Sequence, residues 1–217
     1  LVVSPQGYKR GWNISAEATK APDTDFFKEI IKDLKIKYPN ADLSGVSMVG
    51  FSNGAGYIFR LLIEIDDENL IKRVVAMVSS METSQYHDDS FWQRSDDQDG
   101  NYDLKKKPVS KSSMLTVHGT EDRVVPYNGG KRGRNAVHLS AQDTAFYWAR
   151  NNGFKGEKIS DGKGKEISQG IISYGYKKAN VTHLKVIDAG HGLGPKGEKI
   201  NPMINDFIRT GKIKRSY

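Results

Sequence analysis

Residues 46–57, VSMVGFSNGAGY, decide how this chain is read. An apolar run stops at Gly50, Ser52 follows, and glycines return at Gly54 and Gly56. The run before the serine has the composition and length of a strand in a parallel sheet. Residues 53–65 after it carry a helical pattern. Gly50-Phe51-Ser52-Asn53-Gly54 fits G-x-S-x-G, a sharp strand-to-helix turn that lifts a serine hydroxyl clear of a sheet. The flanking positions must be small where strand and helix approach closely. The turn also leaves the N–H of Asn53 at a helix N-terminus, where it can stabilise developing negative charge. Asn53 is therefore the candidate oxyanion donor. A glycine-rich turn that only packs a helix on a sheet is the competing reading; the strand before and the helix after favour the former.

Working outward, residues 1–3, 74–78, 114–117 and 184–187 repeat the apolar pattern of 46–51, and each is expected to be a strand buried on both faces. Helical patterns fall between them. Residues 25–36 place apolar side chains on one stripe, with Asp23 or Thr24 as the cap. Residues 140–152 begin with Ser140 and Asp143 at capping-box spacing and stop at Gly153. Asn201-Pro202 is expected to open a last helix that ends near Gly211. Alternating strands and helices predict an α/β fold with a mostly parallel sheet.

Two stretches interrupt the alternation. Residues 79–111 read as a long polar loop with embedded aromatics, and loops of that length are usually functional. Residues 155–170 read as a surface excursion, and 171–177 as an added strand. There is no internal repeat or linker, so residues 1–217 are read as one domain.

Composition narrows the function classes. With 37% hydrophobic residues, three tryptophans and ten tyrosines, the chain has the material for a packed core and not the signature of disorder. No window reaches the roughly 18 consecutive apolar residues of a membrane span. The chain has no cysteine, which excludes disulfides and thiolate metal sites. The net charge is +7, with basic clusters at 105–107, 131–134 and 212–215. None is interleaved with aromatics and no nucleic-acid motif accompanies them, so they are read as solvated surface, with no nucleic-acid partner.

A serine hydroxyl needs a base to take its proton. Of His87, His118, His138, His183 and His191, the last stands in AGHGLGP, after the run LKVIDAG and before the last helix. Loops leaving the carboxyl ends of parallel strands are where α/β sites gather, which selects His191. The orienting acid should lie between serine and histidine in the chain. MLTVHGTEDRVVPY places Asp122 just past a strand end, with Glu121 and Asp188 ranked below it. An aspartate there could instead only cap its own turn.

At this point the chain resembles a known group, the α/β-hydrolase esterases that include polyhydroxybutyrate depolymerase-like enzymes and the related feruloyl and acetylxylan esterases. VVSPQGYKRGWN, VGFSNGAGY, HGTEDRVVPYNGG, AQDTAFYWARNNG and AGHGLGP carry the resemblance, in the expected order. It implies an α/β-hydrolase fold, with Ser52 as nucleophile, Asp122 as acid and His191 as base, and no metal or organic cofactor. The group also has strands ahead of the segment that begins here at Leu1, with a second oxyanion donor on them, so the chain is expected to be N-terminally incomplete. Relatives are often exported, which implies a secreted or cell-envelope location. Gly192-Leu193-Gly194-Pro195 departs from the Trp-Pro pair that many relatives carry after the histidine, a difference that bears on substrate preference.

The expected activity is serine carboxylic-ester hydrolysis, on substrates such as feruloylated or acetylated polysaccharide or polyester. Trp12, Tyr127 and Trp92 are the candidate substrate-binding residues, Trp92 as part of a lid or pocket wall formed by 79–111. A serine peptidase or amidase would use the same three residues, and a non-catalytic glycan-binding protein could keep the scaffold.

Overall fold

The computed structural model describes residues 1–14, 19–95, 101–132 and 136–214. Gly133 and Arg134 of one expected basic cluster, and Arg215 of another, lie outside them. In chain order the described residues form α1 (Asp23–Lys37), β1 (Val46–Phe51), α2 (Asn53–Glu64), β2 (Ile71–Met77), β3 (Tyr86–His87), β4 (Ser90–Arg94) and β5 (Tyr102–Lys106). There follow β6 (Ser113–Gly119), β7 (Gly130–Arg132), β8 (Ala136–His138), α3 (Ala141–Asn151), β9 (Lys165–Ser168), β10 (Ile171–Tyr176), β11 (Val181–Val186) and α4 (Lys196–Thr210).

The main sheet has the order β1-β2-β6-β11-β10-β9. β1, β2, β6 and β11 run parallel; β10 and β9 continue the sheet antiparallel. Side chains alternate across its plane, so each central strand feeds two cores. Val74, Ala76 and Met114 pack with α1, α2 and α3 on one face. Val75, Leu115, Val117, Leu184 and Val186 pack with Ile200, Met203, Ile204 and Phe207 of α4 on the other. This α/β architecture, mostly parallel with helices on both faces, is compatible with an α/β-hydrolase-like fold.

Several expectations need correction. Residues 1–3 form no strand, and Leu1, Val2 and Val3 are 70%, 95% and 45% exposed. A strand needs a ladder partner, and among the described strands β1 pairs with β2 alone. β1 itself is not buried on both faces: Val49 and Phe51 are 49% and 46% exposed on the side away from the α2 core. Neither Asp23 nor Thr24 caps α1. Pro22 stands at the cap position, the Asp23 carboxylate accepts from Asn13 N–H at 2.7 Å, and Thr24 donates to Glu64 at 2.5 Å.

The described residues of segment 79–111 are not one long loop. β3, β4 and β5 form an antiparallel sheet in it. Its Tyr86 and Phe91 are buried against Tyr147 and Trp148 of α3. Segment 155–170 is tied down: β9 lies in it, and Asp161 accepts from Lys185, Tyr174 and Gln142 at 2.8–2.9 Å. α4 starts at Lys196, so Pro202 falls inside the helix and does not open it. Its end at Gly211, with a left-handed φ of 73°, is as expected, as is the Ser140 cap of α3, whose Oγ accepts from Asp143 N–H at 3.0 Å.

Candidate active site

Ser52 sits where β1 becomes α2, with φ 52° and ψ −119°. A non-glycine residue with positive φ is strained, and such strain persists only where the surroundings enforce it. They do so here. The N–H of Ser52 donates to Met77 O at 2.9 Å, at the end of neighbouring β2, and its C=O accepts the first bonds of α2 from Ala55 and Gly56. Gly50 is required: a Cβ there would lie 2.6 Å from Gly54 O and 2.7 Å from Ala55 N. At Gly56 a Cβ would meet the tip of the Ile14 side chain, which can swing away, so glycine is less strictly needed there than at Gly50. Gly54 is not required, because nothing lies within 4 Å of where its Cβ would stand.

The histidine and the acid arrive from neighbouring strand ends. β6 leads into the turn carrying Asp122, and β11 leads into the loop carrying His191. The two loops are joined by Glu121 N–H donating to Ala189 O at 2.9 Å and by Asp188 N–H donating to Thr120 Oγ1 at 2.9 Å. Their approach depends on Gly119, where a Cβ would overlap the Ala189 carbonyl.

The result is one hydrogen-bonded line. Ser52 Oγ is 2.8 Å from His191 Nε2, and His191 Nδ1 is 2.8 Å from Asp122 Oδ2. Asp122 has a buried side chain, while Ser52 and His191 are half-buried and reachable. The other oxygen of Asp122 accepts from Val124 N–H at 2.8 Å and Val125 N–H at 3.0 Å. The aspartate thus caps its turn and also faces the histidine. Burial by itself would raise the Asp122 pKa. The bonds from His118, His191, Val125 and Val124 outweigh it and hold the carboxyl well below the usual carboxylate range. Asp122 is an anion that accepts hydrogen bonds, so His191 carries its hydrogen on Nδ1 and presents a bare Nε2 to Ser52. Of the alternative acids, Glu121 is exposed, and Asp188 is exposed on a left-handed residue of the histidine loop.

Asn53 opens α2, so its backbone N–H points out of the helix start beside Ser52. Its side chain clasps Trp12: Trp12 N–H donates to Asn53 Oδ1 at 2.8 Å and Asn53 Nδ2 donates to Trp12 O at 2.9 Å. The Trp12 ring stacks on Tyr57 at 4.6 Å. Together with Gly54 and Val49 it lines a groove of about 770 Å³ along the free edge of β1.

The other two candidate substrate contacts lie elsewhere. Tyr127 is buried, with its hydroxyl 3.0 Å from His183 Nε2 and 3.2 Å from Gln142 Nε2. Trp92 stacks flat on His87 and donates to its carbonyl at 3.1 Å, in the sheet that covers α2 and α3. Two neighbours of the line were not legible in advance. The half-exposed Phe51 meets the His191 ring edge-on at 5.5 Å, and His118 stands 3.2 Å from Asp122. Among the described residues no group of three or more His, Asp or Glu is arranged to hold a metal ion, and no helix is long and apolar enough to cross a membrane.

Comparison with known proteins gives a distant, partial likeness. The chain is 28% identical over 152 residues to feruloyl esterase B of Piromyces equi, covering 68% of this chain and 25% of that protein. The chain therefore spans about a quarter of the curated relative it matches. No family model and no solved structure matches. The likeness supports an esterase-type relationship at a coarse level.

Proposed function

We propose that this chain is the catalytic α/β-hydrolase domain of a serine carboxylic-ester hydrolase. The observation that carries the proposal is the line Ser52 Oγ–His191 Nε2, His191 Nδ1–Asp122 Oδ2, each step 2.8 Å, with the serine strained at a helix N-terminus. In the reaction His191 Nε2 takes the Ser52 proton as Oγ bonds to the ester carbonyl carbon. The carbonyl oxygen becomes an oxyanion held by the Asn53 N–H. Asp122 stabilises the imidazolium through Nδ1–H. As the C–O bond to the alcohol breaks, His191 returns its proton to the leaving oxygen. Water, deprotonated by the same nitrogen, then attacks the acyl-Ser52 ester; the acid leaves and Ser52 regains its hydrogen.

The preference for esters over amides rests on the resemblance of the sequence and on the likeness to a protein named feruloyl esterase. Feruloylated or acetylated polysaccharide and polyester are the substrates we propose, and a secreted or cell-envelope location suits such polymers. Trp12, beside the serine turn, is the proposed substrate contact. The test is a panel of matched esters and amides with feruloyl, acetyl and short hydroxyacyl groups. Ester turnover that disappears in Ser52→Ala is expected; faster turnover of the matched amides would reverse the assignment to esters.

A further inference from the structure

A second histidine lies behind the acid, and the proposed reaction gives it no part. His118, at the end of β6, is buried, with Nε2 2.9 Å from Val125 O and 3.2 Å from Asp122 Oδ2. Both are acceptors, so Nε2 carries the hydrogen and shares it between carbonyl and carboxylate, a three-centre contact. Nδ1 has no hydrogen-bond partner among the described residues. The Tyr127 ring meets the imidazole edge-on at 5.8 Å and keeps it in place.

What this bond does follows from what the others leave undone. The bonds from Val124 and Val125 to Asp122 Oδ1 span two and three residues, within one turn. They fix the carboxylate relative to the turn; the start of the turn is tied by Glu121 N–H to Ala189 O at 2.9 Å and Asp122 N–H to Gly119 O at 3.4 Å, and neither of those bonds reaches Val125 or the carboxylate. His118 reaches from the sheet into that turn, gripping Val125 O and Oδ2, the oxygen that His191 Nδ1 uses. We propose that His118 is a positioning residue: its Nε2–H anchors the Asp122–Val125 turn to β6 and so holds Oδ2 on His191. The proposal rests on the esterase reading above for its kinetic consequence and on geometry alone for its structural one. Glutamine places an amide nitrogen where Nε2 stands and should restore the anchor; leucine fills the site without a donor.

The experiment compares wild type, His118→Leu and His118→Gln by three measurements. These are the rate of Ser52 labelling by a fluorophosphonate, kcat and KM on a short-chain ester, and the downfield proton resonance of His191 Nδ1–H. Thermal melts check that each variant folds. A tilt of about 1 Å in a reacting group costs on the order of 10²-fold. His118→Leu should lose about that factor in labelling and kcat, with KM within about two-fold and the resonance broadened or lost. His118→Gln should recover most of both. Wild-type labelling and an intact resonance in folded His118→Leu would overturn the proposal. If wild type itself neither labels nor turns over, the esterase reading fails separately. The resonance then still decides whether His118 holds the pair.

Discussion

Asp122→Asn replaces one carboxylate oxygen by an NH₂ group among four donors. If the NH₂ takes the place of Oδ1, it faces the N–H groups of Val124 and Val125, now at 2.8 and 3.0 Å. Backbone donors cannot change protonation, so the buried N–H of Val125 loses its acceptor at about 1–3 kcal/mol, and the part-buried N–H of Val124 loses its acceptor as well. If the NH₂ takes the place of Oδ2, it faces His191 Nδ1 at 2.8 Å and His118 Nε2 at 3.2 Å. His191 can shift its hydrogen to its other nitrogen at smaller cost, and His118 can keep its Nε2–H on Val125 O at 2.9 Å, so this orientation wins. His191 then accepts on Nδ1 and carries its hydrogen on Nε2, pointing at Ser52. The base is disabled although every heavy atom stays near its place. A loss of about 10⁴ in kcat is expected near neutral pH, about 5.4 kcal/mol of barrier, with KM little changed. The assay is steady-state hydrolysis of a chromogenic short-chain ester, with a thermal melt in parallel. A folded Asp122→Asn protein within about ten-fold of wild-type kcat would refute the reasoning.

Burial pushes the His183 pKa down to about 3, whereas in the unfolded chain it titrates near 6.5. The unfolded state therefore binds more protons between those values, and stability should fall as pH drops below about 6.5, by up to about 1.4 kcal/mol per pH unit. Asp122, whose folded pKa is depressed, adds a further loss below about pH 4. Urea midpoints that stay constant from about pH 7 to 5 would contradict the His183 assignment. Gly50→Ala should destabilise by about 1–3 kcal/mol and disarm Ser52, because its Cβ meets the α2 backbone at 2.6–2.7 Å. Gly54→Ala, which enters open space in a helix, should be neutral or stabilise by about 0.4–1 kcal/mol; chemical denaturation of the pair should separate them, and equal losses would argue against the close approach. Ser140→Ala should cost about 1 kcal/mol through loss of the α3 cap, read as a lower thermal midpoint with ester turnover retained.

The elements around the site were legible because local and global signals agree there. G-x-S-x-G lies between an apolar run and a helical stripe, and Ser52 does turn from β1 into α2. What was missed depends on partners. Residues 1–3 have strand composition, yet composition cannot supply a ladder. Residues 90–94, SFWQR, are a short strand whose apolar side chains cover helices, so the run lacks the β-branched density of a buried parallel strand. Pro202 looked like a helix opener because an interior proline costs about 3 kcal/mol. The stripe of Ile200, Met203, Ile204 and Phe207, packed on the sheet, carries the helix across it. Asp122 and His191 could be chosen from chain order and from their position after strands. His118 could not, since its place behind Asp122 depends on the turn folding back over the end of β6. Tyr127 shows the same limit in the other direction. Its motif suggested a substrate contact, and the structure places it in a buried network with His183.

The central claim is that Ser52 is an activated nucleophile. The most direct measurement is labelling of this chain with a fluorophosphonate, located by peptide mass spectrometry, beside Ser52→Ala and His191→Ala. Phosphonylation confined to the peptide bearing Ser52, abolished by Ser52→Ala and slowed by orders of magnitude in His191→Ala, is the predicted result. A label on another residue, or labelling of Ser52 at an undiminished rate without His191, would contradict the account.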